Sequence, residues 1–168
     1  MGQPSGSFSR DANRVPIWTD GIITKRTITF AGATTNAWGN DDGDLDDSAL
    51  FTVTGLVFVK VLAECTTSLT GASSTLEVGI TGDTAIFMPT ETSTEIDSGM
   101  IWLNNATNAA YYIIGEESAA ADNLPEYALN GQDILLTVET ADTETGVLDF
   151  FCIWRPISDD GDVVATTT

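Results

Sequence analysis

Apolar side chains in this chain recur at every second residue and nowhere keep a 3.6-residue period over several turns. In the segment 75–81, Leu76, Val78 and Ile80 alternate with polar or small residues. Alternation of this kind indicates a β-strand with one buried face. About eight such segments, rich in Thr, Val, Ile and Phe and separated by polar turns, predict an all-β fold: a single antiparallel sandwich or jelly-roll-like domain.

The chain divides by composition into an arm, a body and a tail. Residues 1–20 mix Gly, Pro, Ser and Asn with few apolar residues, so we expect an extended N-terminal arm there. Residues 21–157 carry the strand-like segments and form the predicted β-sandwich domain, and residues 158–168 predict a loose polar tail. A length of 168 residues suits one domain with its own core.

Two apolar segments near the end of the chain, 134–138 and 147–155, predict a hairpin around the polar loop 141–146. The second segment is apolar on both faces, with Leu148, Phe150, Cys152 and Trp154 on one face and Val147, Phe151 and Ile153 on the other. A strand of this kind is central in a sandwich or has one face covered by another subunit. We therefore predict that Val147, Phe151 and Ile153 lie at a subunit interface.

Gly55 interrupts a long apolar run, Phe51 to Cys65. A glycine at such a place indicates either a bulge or a break into two strands. Cys65 and Cys152 both lie in apolar strand-like segments. We expect two buried free thiols rather than a disulfide, because cytosolic thiols stay reduced.

Charge excludes several classes of function. The chain has no histidine, 25 acidic and six basic residues, and a net charge of −19. The lack of histidine removes His-based nucleophile activation and the commonest general base, so we expect no enzyme. An acidic body repels nucleic acid, and no apolar run approaches the ~20 residues that span a bilayer, so neither nucleic acid nor membrane is an expected partner. The start of the chain lacks a signal-peptide pattern, which indicates synthesis in a cytoplasm.

The charge is unevenly placed along the chain. Residues 1–26 hold four basic and two acidic residues, a net +2, and the rest hold two basic and 23 acidic residues, a net −21; together these give −19. A basic arm on an acidic body suggests that the arm docks on a partner while the body faces water, although chance placement is the alternative. The candidate docking residues are Arg10, Arg14, Val15, Pro16 and Trp18.

The segment 40–47 is the most acidic loop of the chain. Asp42, Asp44 and Asp46 alternate on it as calcium ligands do, which makes them a weak calcium site candidate. The loop lacks the spacing of an EF-hand, because residues 49–54 hold no acid. A solvated acidic loop is the favoured interpretation, and we expect no cofactor otherwise.

Aromatic and acidic residues offer two further candidate sites. Trp38, Trp102, Tyr111 and Tyr112 suggest a sugar-binding platform, but core or interface packing is the favoured interpretation. A glycosidase needs two placed carboxylates, and among the acids Asp149 and Glu64 lie in apolar strand-like segments. We interpret Asp149 as a buried group paired with Arg155 or Lys60 rather than as a catalytic one.

Three segments carry a resemblance to a known class of proteins. The first is Ser9-Arg10-Asp11-Ala12-Asn13-Arg14-Val15-Pro16, and the second joins residues 130–138 (NGQDILLTV) with residues 146–157 (GVLDFFCIWRPI). The third is residues 53–61 (VTGLVFVKV). They resemble tailed-bacteriophage virion structural proteins, in particular small head decoration, cement or head-fibre proteins, and cover about a third of the chain.

The resemblance implies a place on the capsid exterior, with the major capsid protein of the phage head as partner and a homo-oligomer, favoured as a trimer. The heavy acidity of this chain departs from that pattern. The alternative interpretation is a receptor- or glycan-binding sandwich of a phage tail or fibre, which would use the aromatic residues above.

Overall fold

The computed structural model describes residues 9–10, 16–17, 21–35, 37–41, 48–105, 110–114 and 124–167. The regular structure of these residues consists of β-strands and one 3-10 turn, Ser93–Glu95. The strands are β1 (Ser9–Arg10), β2 (Pro16–Ile17), β3 (Ile22–Phe30), β4 (Ser48–Thr54), β5 (Leu56–Thr70), β6 (Thr75–Ile80), β7 (Asp83–Thr92), β8 (Ile101–Asn105), β9 (Ala110–Ile114), β10 (Tyr127–Asn130), β11 (Ile134–Glu139), β12 (Thr145–Pro156) and β13 (Asp162–Ala165).

The strands of the body form two antiparallel sheets. The larger sheet has the order β3-β12-β5-β8-β9, with β10 also paired to β5, and the smaller sheet has the order β13-β4-β11-β6-β7. Both sheets contribute side chains to one hydrophobic core. The predicted all-β fold with an antiparallel sandwich is confirmed.

The core lies between the facing sides of the two sheets. Leu76, Val78 and Leu136 of the smaller sheet are fully buried with Leu148 and Phe150 of the larger one. Burial of each such side chain stabilises the fold by about 1.5–3 kcal/mol. The predicted alternation in β6 is thus confirmed for its two central apolar residues.

Gly55 breaks the long apolar run into two strands rather than forming a bulge. The chain leaves β4 in the smaller sheet and enters β5 in the larger sheet, with Gly55 at a φ of +62° between them. A Cβ at this position would lie 2.5 Å from a carboxylate oxygen of Asp160. A glycine is needed because the left-handed backbone and the close side chain both disfavour a larger residue.

The predicted hairpin between residues 134–138 and 147–155 is wrong. Strand β11 pairs with β4 and β6 in the smaller sheet, whereas β12 pairs with β3 and β5 in the larger sheet. The connecting loop crosses between the sheets: the Thr143 amide donates to Gly39, and its hydroxyl shares a hydrogen bond with Ser74. Both strands are central in their sheets, because each is hydrogen-bonded to a neighbouring strand on either side.

The prediction of a loose C-terminal tail is also wrong for residues 162–165. They form β13, which pairs with β4 along its length and buries Val163 in the core. This segment forms a strand although polar residues precede it, because burial of the Val163 side chain at the edge of the sandwich stabilises the pairing with β4.

Two short strands are described in the segment for which we expected an extended arm. Ser9–Arg10 pairs antiparallel with Pro16–Ile17. The described residues contain no helix of the length and hydropathy that a membrane crossing requires.

Candidate functional site

Strand β12 places the predicted interface residues on the outer face of the larger sheet. Because side chains alternate along a strand, Leu148, Phe150 and Cys152 point into the core. Val147, Phe151 and Ile153 point the other way and are half-buried, and none of the described strands forms a second sheet over them. Their common face agrees with the prediction; their contact with another subunit stays a prediction.

Neighbouring strands extend this apolar surface on both sides of β12. Ile23 lies opposite Ile153 across the β3–β12 pair and is 62% exposed. Leu62 lies opposite Phe151 on β5, and Leu103 follows it on β8. We call this surface, with Val147, Phe151, Ile153, Ile23 and Leu62 as its half-buried or exposed apolar members, the outer face; Leu103 is 5% exposed and marks its buried end.

Charged residues on the outer face balance one another. Its described side chains include three cations and three carboxylates, which give a net charge of zero. They are Lys25, Lys60 and Arg155 with Glu64, Glu126 and Asp149. The rest of the chain then holds three basic and 22 acidic residues, a net −19. The outer face is therefore a neutral, partly apolar surface on a strongly acidic chain.

Asp149 is the most constrained of these charged groups. It is buried, Lys25 Nζ lies 2.7 Å from its Oδ2, and the Thr27 hydroxyl donates to its Oδ1. Burial raises the pKa of this carboxyl, but the hydrogen bonds from Lys25 and Thr27 and the charge of Lys25 outweigh it, so the pKa lies below its ordinary value. The prediction of a buried, paired Asp149 is confirmed, but its partner is Lys25 rather than Arg155 or Lys60.

Glu64 stands directly opposite Asp149 on β5. The two carboxylates are neighbours on an open strand surface, as the pair that a glycosidase requires would be. Asp149 has a lowered pKa and its oxygens already accept two hydrogen bonds, which opposes a role as general acid. The arrangement therefore fits a structural ion pair better than a catalytic one.

Arg155 lies at the end of the outer face away from Asp149 and Glu64, opposite Phe58 on β5. Its guanidinium carbon lies 4.6 Å from the centre of the Phe58 ring, and its Nη2 lies 2.7 Å from Glu126. Arg155 and Phe58 line a shallow pocket of about 200 Å³ together with Pro156 and Ile157. A pocket of this size is smaller than the ~300–1,000 Å³ of ligand sites and suits a single protruding side chain.

The fourth described basic side chain, Arg26, points to the interior. Its guanidinium donates to the carbonyl oxygens of Ala49 and Leu50, and it lies 4.9 Å from the Trp38 ring centre. Burial lowers the pKa of this group. The other three described basic side chains of the body are all on the outer face.

The favoured interpretation of the aromatic residues, core packing, is confirmed for the two tryptophans, which are therefore not part of a sugar-binding platform. Trp38 and Trp102 are both core residues, with exposed fractions of 8% and 0%. Tyr111 and Tyr112 lie in β9, and their side chains are outside the described part of the structure.

Cys65 and Cys152 are buried free thiols, and burial raises their pKa values to about 11 and about 12.

The remaining predicted sites fall outside the described residues. Arg14, Val15 and Trp18 of the arm lie there, and of Arg10 and Pro16 only the strand pairing is described. The calcium candidates Asp42, Asp44 and Asp46 also lie there. At the base of that loop, the Asp142 carboxylate accepts hydrogen bonds from the Asp41 amide and from Asn40. Among the described residues no cluster of acids or cysteines has the geometry of a metal site.

Sequence reasoning missed the part of the outer face that β3, β5 and β8 supply. Strand β12 was identified because it is apolar on both faces, whereas on β3 the outward Ile23 is followed by the polar Lys25 and Thr27, so β3 carries no comparable signal. It could not be joined to β12 because the sequence does not state which strands are neighbours.

Comparison of the chain with protein-family models, with curated proteins and with solved structures finds no match. The functional interpretation therefore depends on the residues and geometry of this chain.

Proposed function

We propose that this protein is a non-enzymatic structural protein of a tailed-phage virion, which binds the outside of the capsid as a decoration or cement protein. In this proposal its partner is the major capsid protein of the head, its place is the virion exterior, and it is made in the host cytoplasm. The observation that carries the proposal is the neutral, apolar outer face on a chain with a net charge of −19.

The electrostatics of the chain explain why this face matters. Copies of a protein with a net charge of −19 repel one another, and the repulsion rises as their acidic surfaces approach. Two ion pairs hold four of the six charges of the outer face and its net charge is zero, so a second surface can approach it without meeting a net negative charge. Phe151, Ile153 and Val147 then supply apolar area for contact. These features support assembly into a homo-oligomer.

The N-terminal arm supplies the proposed contact with the shell. Residues 1–20 hold Arg10 and Arg14 against Asp11 and Asp20, so this segment lacks the strong net negative charge of the body. Val15, Pro16 and Trp18 add apolar contact area. The acidic body then faces solvent. Neither nucleic acid nor membrane is a partner in this proposal, since the body repels anionic surfaces.

The proposal is tested by adding the purified protein to phage capsids that lack it and measuring cosedimentation. We expect the full chain to bind at saturable stoichiometry and a folded variant without residues 1–20 to lose binding by at least tenfold. The circular dichroism and melting temperature of the truncated variant serve as the control for folding. Full occupancy by the truncated protein would contradict the docking role of the arm.

A second measurement tests the outer face separately. Phe151→Lys places an unpaired charge at its centre, and Thr81→Lys adds the same charge at an exposed turn of the smaller sheet, between β6 and β7. We expect only Phe151→Lys to reduce the mass of the oligomer in sedimentation velocity. Equal masses for both variants and the natural protein would remove the outer face from the proposal.

A further inference from the structure

Strand β3 has a long backbone edge to which no other described strand pairs. Among the described residues it pairs only with β12, along nine residues. A strand of this length spans about 30 Å. Its free side presents a row of backbone N–H and C=O groups, which is a template for pairing with another strand.

The edge lacks the features with which proteins block such pairing. Strand β3 contains no proline, and its register with β12 runs without a bulge. Its one lysine, Lys25, does not extend past the edge, because Asp149 holds its ammonium group over the outer face. Its Nζ also lies 5.4 Å from the Phe151 ring centre.

The other outermost strands are shorter or irregular. Strand β13 has four residues, as does β10, and β7 contains Pro89 and shifts its register against β6. Compared with these three strands, β3 is longer than β10 and β13, and unlike β7 it has no proline and no register shift.

Exposed apolar side chains flank this edge. Ile22 and Ile23 at the start of β3 are 41% and 62% exposed. The Thr24 hydroxyl donates to the Val163 carbonyl at 2.9 Å, which brings β13 and its exposed Val164 beside the same end of β3. Apolar contacts are thus available next to the backbone groups, which strengthens a strand pairing beyond its hydrogen bonds.

Charge identifies a second copy of the chain as the occupant. Paired strands lie about 4.8 Å apart, so acids on either edge would oppose pairing between two acidic chains. Strand β3 holds no acid, whereas β13 holds Asp162 and β7 holds Asp83 and Glu91. The two cations of β3 are also engaged, Lys25 by Asp149 and Arg26 by interior carbonyl oxygens.

We propose that β3 pairs antiparallel with β3 of a second copy, so that the two larger sheets join across a two-fold axis. This inference rests on the proposed function only in that both require association between copies. It uses the backbone edge of the larger sheet, whereas the proposed function uses the side chains of its outer face.

Hydrogen–deuterium exchange of residues 22–30 at low and high protein concentration tests this pairing. We expect exchange of about half of these amides to slow at least tenfold on association, because alternate amides point to the free edge. Ile22→Lys should abolish the slowing and lower the mass in sedimentation velocity, because Ile22 flanks the edge but is paired with the inward-facing Trp154 and so lies off the outer face. The matched control Thr81→Lys, at an exposed turn of the smaller sheet, should retain both.

Several outcomes would overturn the proposal, and they differ from failure of the proposed function. Oligomers with unchanged β3 exchange would refute edge pairing while leaving outer-face assembly intact. Slow exchange already present in the dilute monomer would show that the chain covers its own edge. An exclusively trimeric mass would also refute it, because a closed trimer has no two-fold axis. Absence of any association would refute edge pairing, while capsid cosedimentation independently decides the proposed function.

Discussion

Replacing Glu91 by glutamine should stabilise the protein at neutral pH. Glu91 is 3% exposed, and its Oε2 is buried without a hydrogen-bond partner, while its Oε1 accepts only the Thr92 amide. A buried, unpartnered charged oxygen costs about 1–3 kcal/mol or more. The glutamine keeps one unpartnered polar atom, so we expect a gain at the lower end, about 1 kcal/mol, or a rise in Tm of about 2–4 °C for a domain of this size.

The pH dependence of this gain has a definite sign. Burial raises the pKa of Glu91, with a smaller contribution from the charge of Glu95. The folded state therefore binds a proton more tightly than the unfolded state, whose Glu has a pKa of about 4.3. The penalty is fully present above the folded pKa and disappears as the pH falls toward the unfolded value. The difference between Glu91→Gln and the natural protein should shrink to near zero below about pH 4.

Urea unfolding of both proteins from pH 4 to pH 8 measures this difference directly. Glu144→Gln is the matched control, because Glu144 is exposed and the same charge is removed from the chain. It should change stability by less than about 0.5 kcal/mol. A Glu91→Gln protein that is less stable than the natural one at pH 7, or whose gain does not depend on pH, would refute the reasoning.

Two further predictions concern contacts within and beside the larger sheet. Asp149→Asn should destabilise the fold by about 1–2 kcal/mol at pH 7, because it weakens the bonds from Lys25 and Thr27. Since the pKa of Asp149 is lowered, this stability is present above the unfolded pKa and is lost as pH falls through the folded one, so urea unfolding should show the difference vanishing in acid. Thr24→Val should destabilise by about 1–3 kcal/mol, because the Thr24 hydroxyl accepts from Trp154 Nε1 and donates to Val163. Its control in thermal unfolding is the exposed Thr29→Val, and an equal loss in both would contradict a special role for Thr24.

The class of the fold was predictable because alternation is a local property of the sequence. Buried strand faces can be identified from alternating apolar residues without knowing which strands are neighbours, as they were for Leu76, Val78, Leu148 and Phe150. Pairing is not local. The loop 140–144 has the length and polarity of a hairpin turn, yet Thr143 is bonded to Gly39 and Ser74, and the chain crosses to the other sheet. No pattern within the loop distinguishes these two paths.

The candidate site was half predictable for the same reason. The outward residues of β12 follow from its two apolar faces, and the burial of Asp149 follows from its position among them. Its partner Lys25 lies far away in sequence and is brought near only by the β3–β12 register. The balance of charge on the outer face is likewise a product of strand order, because Lys60 and Glu64 come from β5.

The two contacts proposed for this protein should respond oppositely to salt. Copies that meet at a neutral face still carry −19 charges each, and that repulsion acts over a distance that salt shortens to about 10 Å at 0.1 M. The apolar contacts of Phe151 and Ile153 are not screened, so added salt should strengthen association between copies. The arm instead depends on the positive charges of Arg10 and Arg14, and salt weakens attraction between exposed opposite charges. Measuring sedimentation mass and capsid binding across a salt series should therefore separate the two proposed contacts, and a parallel response of both to salt would contradict this assignment.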